Sequence, residues 1–139
     1  MIADSEYLNG RLGWIENRTD EPGPDWETHL LDRPLYYAHS LSAWRENGTV
    51  TIFAAEMTEG GWDAPYNYGA RQLRYQTDDG GQSWDQAVLH RGAGTHQARA
   101  IDLDGDGEYE FVDKECFEPK LQRWSRRADP PRQLGSATY

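Results

Sequence analysis

What the chain has little of narrows it first. Cys116 is its sole cysteine, so no intrachain disulfide can form and no redox framework points to a compartment. No run approaches the roughly 18 apolar residues of a membrane-spanning helix. The start Met1-Ile2-Ala3-Asp4-Ser5-Glu6 has neither a basic cluster nor an apolar stretch, so neither an export leader nor membrane insertion is expected. Basic side chains are scarce: 14 Lys and Arg stand against 24 Asp and Glu, a formal charge of −10 that repels phosphate backbones and anionic lipid. Nucleic acid is not an expected partner. Long 3.6-residue periodicity is also missing, and a chain of 139 residues is the size of one domain.

What is present is aromatic and repetitive. Six Trp and eight Tyr beside three Phe suit half-wet surfaces, where a ring packs and a polar tip stays solvated, as on sugar-binding and interface surfaces. Segments 26–57 and 84–115 echo one another at an offset of 58 residues. Each reads as a Trp-led strand, a loop reaching His39 or His96, a small-residue strand through Ala43 or Ala100, a Gly-bearing turn, and a strand through Phe53 or Phe111. Short aromatic-bearing strands also recur at 12–17, 72–77 and 121–125.

This pattern predicts an all-β chain of antiparallel four-stranded units, with strands near 40–44, 50–56, 72–77 and 84–89 in the complete copy. Residues 1–125 would then hold the last two strands of one unit, a full unit over 40–89, and three strands of the next over 98–125. Such sheets at such a period are the signature of β-propeller blades, of which about 4–8 close a ring. About two blades cannot close one, so further blades, self-association or open edges are expected. Residues 126–139, rich in turn formers, read as loop or disordered tail.

The strongest chemical motif is Asp102-Leu103-Asp104-Gly105-Asp106-Gly107-Glu108-Tyr109-Glu110. Calcium takes about 6–8 oxygen ligands, and acidic side chains at alternating positions of a tight loop supply them around one point. Asp102, Asp104, Asp106 and Glu110 are the expected side-chain ligands, and Glu108 would offer its carbonyl. Flanking strands in place of helices, and Asp113 where an EF-hand needs Glu, make this a hairpin loop. With this motif the chain resembles the FG-GAP or VCBS repeat proteins, whose blades carry a D-x-D-G-D-G loop between their first two strands. The resemblance covers most of 12–124 and implies an extracytoplasmic or secreted setting. The first copy, 44–49, lacks the acidic ladder, so one calcium is expected.

Thr77-Asp78-Asp79-Gly80-Gly81-Gln82-Ser83-Trp84 fits the Asp-box pattern of sialidases and other propellers, which implies a structural turn. Asp79 would accept backbone N–H bonds, Gly81 would supply unusual dihedrals, and Trp84 would pack under the hairpin. Asn17-Arg18-Thr19 and Asn47-Gly48-Thr49 match the glycosylation tripeptide, which matters only in a glycosylating host.

Antiparallel strands put the Asp loop and the Asp-box on one side and His39, His96, Glu56 and Lys114 on the other, with Arg99 nearby. The long loop carrying Trp62, Tyr66 and Tyr68 joins that side. Cations and rings together suit an anionic or polyhydroxylated ligand, so a glycan or protein is the expected partner. A polysaccharide lyase or sugar dehydratase is the alternative, with His39 or His96 taking a proton while Arg99 or Lys114 steadies an enolate. Against catalysis stands a packing role for the same residues, in which each His bonds a neighbouring backbone group and Glu56 pairs with Lys114 or Arg99 between adjacent blades. Purely structural blades that complete the ring of a larger protein are the third reading.

Overall fold

In the segment Thr49-Val50-Thr51-Ile52-Phe53-Ala54-Ala55-Glu56, six consecutive residues from Thr51 onward are buried, which requires cover on both faces of the strand. The computed structural model shows what covers it. It describes residues 2–4, 10–58, 69–92, 94–107, 109–115, 120–124 and 133–138. Among these are eleven strands and no helix: β1 (Ile2–Asp4), β2 (Gly10–Asn17), β3 (Trp26–Leu35), β4 (Ala38–Glu46), β5 (Thr49–Glu56), β6 (Arg71–Thr77), β7 (Asp85–Arg91), β8 (Thr95–Ile101), β9 (Glu110–Glu115), β10 (Lys120–Trp124) and β11 (Gln133–Thr138).

They form three open antiparallel sheets in the orders β1-β2-β3, β4-β5-β6-β7 and β11-β10-β9-β8. The middle sheet is enclosed by the other two. Ile52 and Ala54 of β5, with Leu73 and Tyr75 of β6, meet Leu12 and Leu35 of the first sheet. On the opposite face Phe53, Ala55 and Leu89 meet Ala98 and Phe111 of the third. Phe53 and Phe111 stack with centroids 4.2 Å apart, and Trp44 tilts against Phe111 at 5.7 Å. The period-2 alternation of a strand thus divides the β5 run between two cores.

Local chemistry sets the hairpins. Asn47 and Gly48 both have positive φ, 49° and 89°, the two-residue turn whose twist matches its flanking strands, and it joins β4 to β5 with Glu46 opposite Thr49. Between β8 and β9 the ladder closes at Ile101 opposite Glu110, leaving the acidic loop outside it.

Two expectations need correction. Residues 133–138 are not loop: β11 pairs along β10, with Leu121 opposite Ala137, so the third sheet has four strands. Pairing an otherwise open edge outweighs the weak local preference of a turn-former-rich segment. The first sheet likewise gains β1, with Ala3 opposite Leu12.

The second correction concerns the repeat. Ala43 faces Ile52 across its ladder and Ala100 faces Phe111, so the matched residues lie 57 apart in the first strand of each unit and 59 apart in the second. A uniform offset of 58 is therefore wrong by one in both strands, and one residue of slip exchanges faces. Phe53 and Phe111 are not equivalent copies looking the same way; they look at each other. Replacing Phe111 with Ala should cost about 3–5 kcal/mol, as for a buried aromatic with incomplete collapse. Urea unfolding measures it, and a loss below about 1 kcal/mol would mean the two sheets do not share this core.

Candidate functional site

The acidic loop gathers its side chains at one point. Gly105 and Gly107 take φ of 76° and 85°, which bend the chain back so that one carboxylate oxygen from each of Asp102, Asp104 and Asp106 lies within 4.8 Å of the others. Asp102 accepts hydrogen bonds from the N–H groups of Gly105 at 2.8 Å and Gly107 at 3.0 Å. Glu110, largely buried at the start of β9, turns toward the same loop and accepts the Leu103 N–H at 3.1 Å. Such an oxygen-rich group could hold a hard cation. Glu108 lies outside the described residues.

The second turn is built by one carboxylate. Asp79 accepts the Ser83 hydroxyl at 2.6 Å, the Ser83 N–H at 3.0 Å and the Thr77 hydroxyl at 2.7 Å. These bonds, led by the one from the Ser83 hydroxyl, hold the Asp79 carboxyl well below the usual carboxylate range. Gly81 has φ of 95°, and a Cβ there would come within 2.7 Å of Trp14, so both the dihedral and the space require glycine. Trp84 donates its indole N–H to the Gly81 carbonyl at 3.1 Å and packs against the core between the first and middle sheets. The Asp79 carboxylate and the Ser83 hydroxyl are thus both engaged within the turn itself.

His39 and His96 do meet, and the reason is a matched irregularity. The β4 ladder skips between Ala38 and Ser40, and the β8 ladder between Thr95 and Gln97, so each His is the extra residue of a β-bulge. Their rings lie 4.5 Å apart, both exposed, with His39 Nδ1 2.7 Å from the His96 carbonyl. A carbonyl only accepts, so Nδ1 carries the proton and donates. Beside them the Ala98 and Ala100 N–H groups donate to the Ser40 and Ser42 hydroxyls at 2.9 and 3.4 Å. β4 and β8 therefore run side by side in the same direction. The His pair lies at their starts, and the Asp-box and acidic loops at the opposite rim.

The other three residues of the expected site do not join this pair. Glu56 is 1% exposed and turned toward the first sheet. There it accepts the Tyr36 N–H at 3.0 Å and the Arg71 N–H at 2.8 Å, and pairs with the Arg71 guanidinium at 2.6 Å. Its cation is Arg71, where the sequence suggested Lys114 or Arg99. Arg99 is exposed between Ala98 and Ala100, which pack inward, so alternation puts it on the outer face of the third sheet, bonded to the Ala98 carbonyl at 2.9 Å. Lys114 follows Asp113, which is buried against Gln72 of the middle sheet, so Lys114 also belongs to the outer face. Register matches Glu56 with Glu115, not with Lys114. Trp62, Tyr66, Tyr68 and Cys116 lie outside the described residues.

Sequence reading missed the polar groups between the sheets. Gln72, fully buried, donates its amide to Thr95 Oγ1 at 3.0 Å and to Asp113. Tyr75 donates to Asp32 at 2.5 Å, and burial together with that carboxylate pushes its phenol far above the usual range. A polar residue inside an apolar run, such as Gln72 before Leu73 or Glu56 after Ala55, is the signal that could have found them. No protein-family profile, curated protein or solved structure matches the chain.

Because the folded-state Asp79 pKa is depressed, its contribution is complete above the unfolded value of about 4 and is lost as pH falls below it. Asp79→Asn should be less stable than wild type at pH 6, with the gap closing as pH drops from about 4 toward 2. Urea unfolding across that range is the check. A constant gap would show that the charge on Asp79 contributes nothing.

Proposed function

We propose that the chain is a run of β-propeller blades carrying a calcium-binding hairpin, and that it serves as a binding module for a glycan or a protein. The observation that carries the calcium part is the convergence of Asp102, Asp104 and Asp106 within 4.8 Å on a loop whose glycines take positive φ. With a formal charge of −10, the chain gains from a cation where acidic groups crowd. Calcium of the extracytoplasmic space would fill the loop and tie β8 to β9.

Support for blades comes from two tryptophans 58 residues apart. Trp84 is partly covered by the core it shares with the first sheet, whereas Trp26 is 58% exposed on the face of the first sheet that no described strand covers. Leu30, on the same face, is 51% exposed, and Ile101 on the outer face of the third sheet is 44% exposed. Each end of the stack thus offers the kind of surface that the middle sheet buries. Further sheets of the same kind, in the same polypeptide or a second copy, would complete it.

Binding is favoured over catalysis by the positions of the titratable groups. A lyase needs a carboxylate or a second cation beside its base, but Glu56 is sealed against Arg71 and both Arg99 and Lys114 belong to an outer face. The exposed His39 and His96 rings at the starts of β4 and β8 suit stacking on, or hydrogen bonding to, a polyhydroxylated ligand.

Calcium should raise the melting temperature of wild type by several degrees, since a hundredfold excess over Kd is worth about 2.7 kcal/mol. Asp104→Ala should lose the shift. Calorimetry showing no calcium-dependent shift, or an Asp104→Ala protein that keeps it whole, overturns the metal loop.

The uncovered faces make a further expectation: the isolated chain self-associates or unfolds at low denaturant, and Trp26→Ser with Leu30→Ser reduces the association. Light scattering after gel filtration reads it. A monodisperse monomer with one sharp reversible transition would contradict the blade reading.

A further inference from the structure

The ladder between β2 and β3 sets Trp14 opposite His29 and Glu16 opposite Glu27, two neighbouring cross-strand pairs on one face of the first sheet. His29 stacks on Trp14 with centroids 4.1 Å apart and planes 15° from parallel. Trp14 in turn sits against Gly81 of the middle sheet's turn. The imidazole is held in one orientation by a ring that is itself held, and that orientation brings Nε2 to 3.1 Å from the Glu16 carboxylate. One oxygen of Glu27 completes the group, with all three ligand atoms within 4.8 Å of one another.

We propose that Glu16, Glu27 and His29 bind a divalent first-row transition ion, with zinc as the reference case. An imidazole and two carboxylates form the mixed nitrogen and oxygen donor set of such ions, whereas calcium takes oxygen alone. This site is therefore chemically distinct from the Asp102–Asp106 loop. Three protein ligands leave a fourth tetrahedral position for water or a ligand group. The indole behind His29 plays the part of an outer support that fixes the ring before the ion arrives.

Two groups occupy these ligands when no ion is bound. Nε2–H of His29 donates to Glu16, and that proton leaves when an ion takes Nε2. Arg18, paired with Glu27 and with Glu21 at 2.8 Å, gives up Glu27 and keeps Glu21. Its departure makes Arg18 a competitor of the ion, and Arg18→Ala should bind at least as tightly as wild type.

The test titrates the metal-free full chain with zinc by calorimetry at pH 7.5, with far-ultraviolet dichroism confirming the fold of each variant. Expected is one zinc bound per chain at a site that Asp104→Ala leaves unchanged. His29→Gln and, as a second variant, Glu16→Gln should weaken it at least tenfold, since removing even an outer-shell partner of a metal site costs about 10–100-fold. Copper(II) added to the same protein should quench a share of the tryptophan emission that disappears in Trp14→Phe. Absence of zinc binding, or full affinity retained in His29→Gln and Glu16→Gln, overturns the proposal. Binding lost only in Asp104→Ala would assign the ion to the acidic loop and overturn it equally.

Discussion

The constraint on which the arrangement depends is the satisfaction of a sheet edge by a neighbouring sheet that does not extend it. β8 ends the third sheet, and among the described residues no further strand pairs with its outward N–H groups. Ser40 and Ser42 of β4 supply hydroxyl oxygens to the Ala98 and Ala100 N–H groups, so two sheets are joined by side chains without merging into one. That contact fixes their relative height. At this height Phe53 stacks on Phe111, Gln72 reaches Thr95 and Asp113, and the two bulged histidines come ring to ring. A small residue is required at Ala98, because a longer side chain at this buried position would separate the strands the hydroxyls connect.

Carboxylates do more for this chain than its charge suggests. Asp79 organises a turn, Asp102 ties its own loop, and Glu56 caps two backbone N–H groups while holding Arg71 between sheets. Asp32 accepts from Tyr75 and from Gln86 at 3.0 Å. A buried carboxylate is costly unless it is paired and hydrogen-bonded, and Glu56 meets both conditions. The acidic excess is thus partly an internal set of strong acceptors, spent where strands end and backbone donors need them.

The strands of the middle sheet were readable from the sequence because each carries its own signal: a β-branched and apolar run at 49–55, an Asn-Gly turn, and a glycine-bearing Asp turn. The ends were less readable. Thr138 and its neighbours owe their strand to an open edge on β10, which no local pattern announces. The facing of side chains was the hardest part. The hairpin loop between β8 and β9 is longer than the one between β4 and β5, which shifts the second strand of the unit against the first. His39 and His96 stayed matched because both are bulge residues, but the sequence pairing of Glu56 with Lys114 crossed from one face to the other. Arg71 became the partner of Glu56 through strand pairing across a long loop, a proximity that spacing along the chain does not encode.

A middle sheet that divides its apolar residues between two cores also has a dynamic consequence. Among the described residues each end sheet shares a core with the middle one, so cooperativity passes along the stack as a chain of nearest-neighbour couplings. Opening an end sheet breaks one interface, whereas opening the middle sheet breaks two. Amide protons along β5 should therefore be among the last to exchange with solvent, and their protection sets the scale for global unfolding. The outer sheets can breathe while the centre holds.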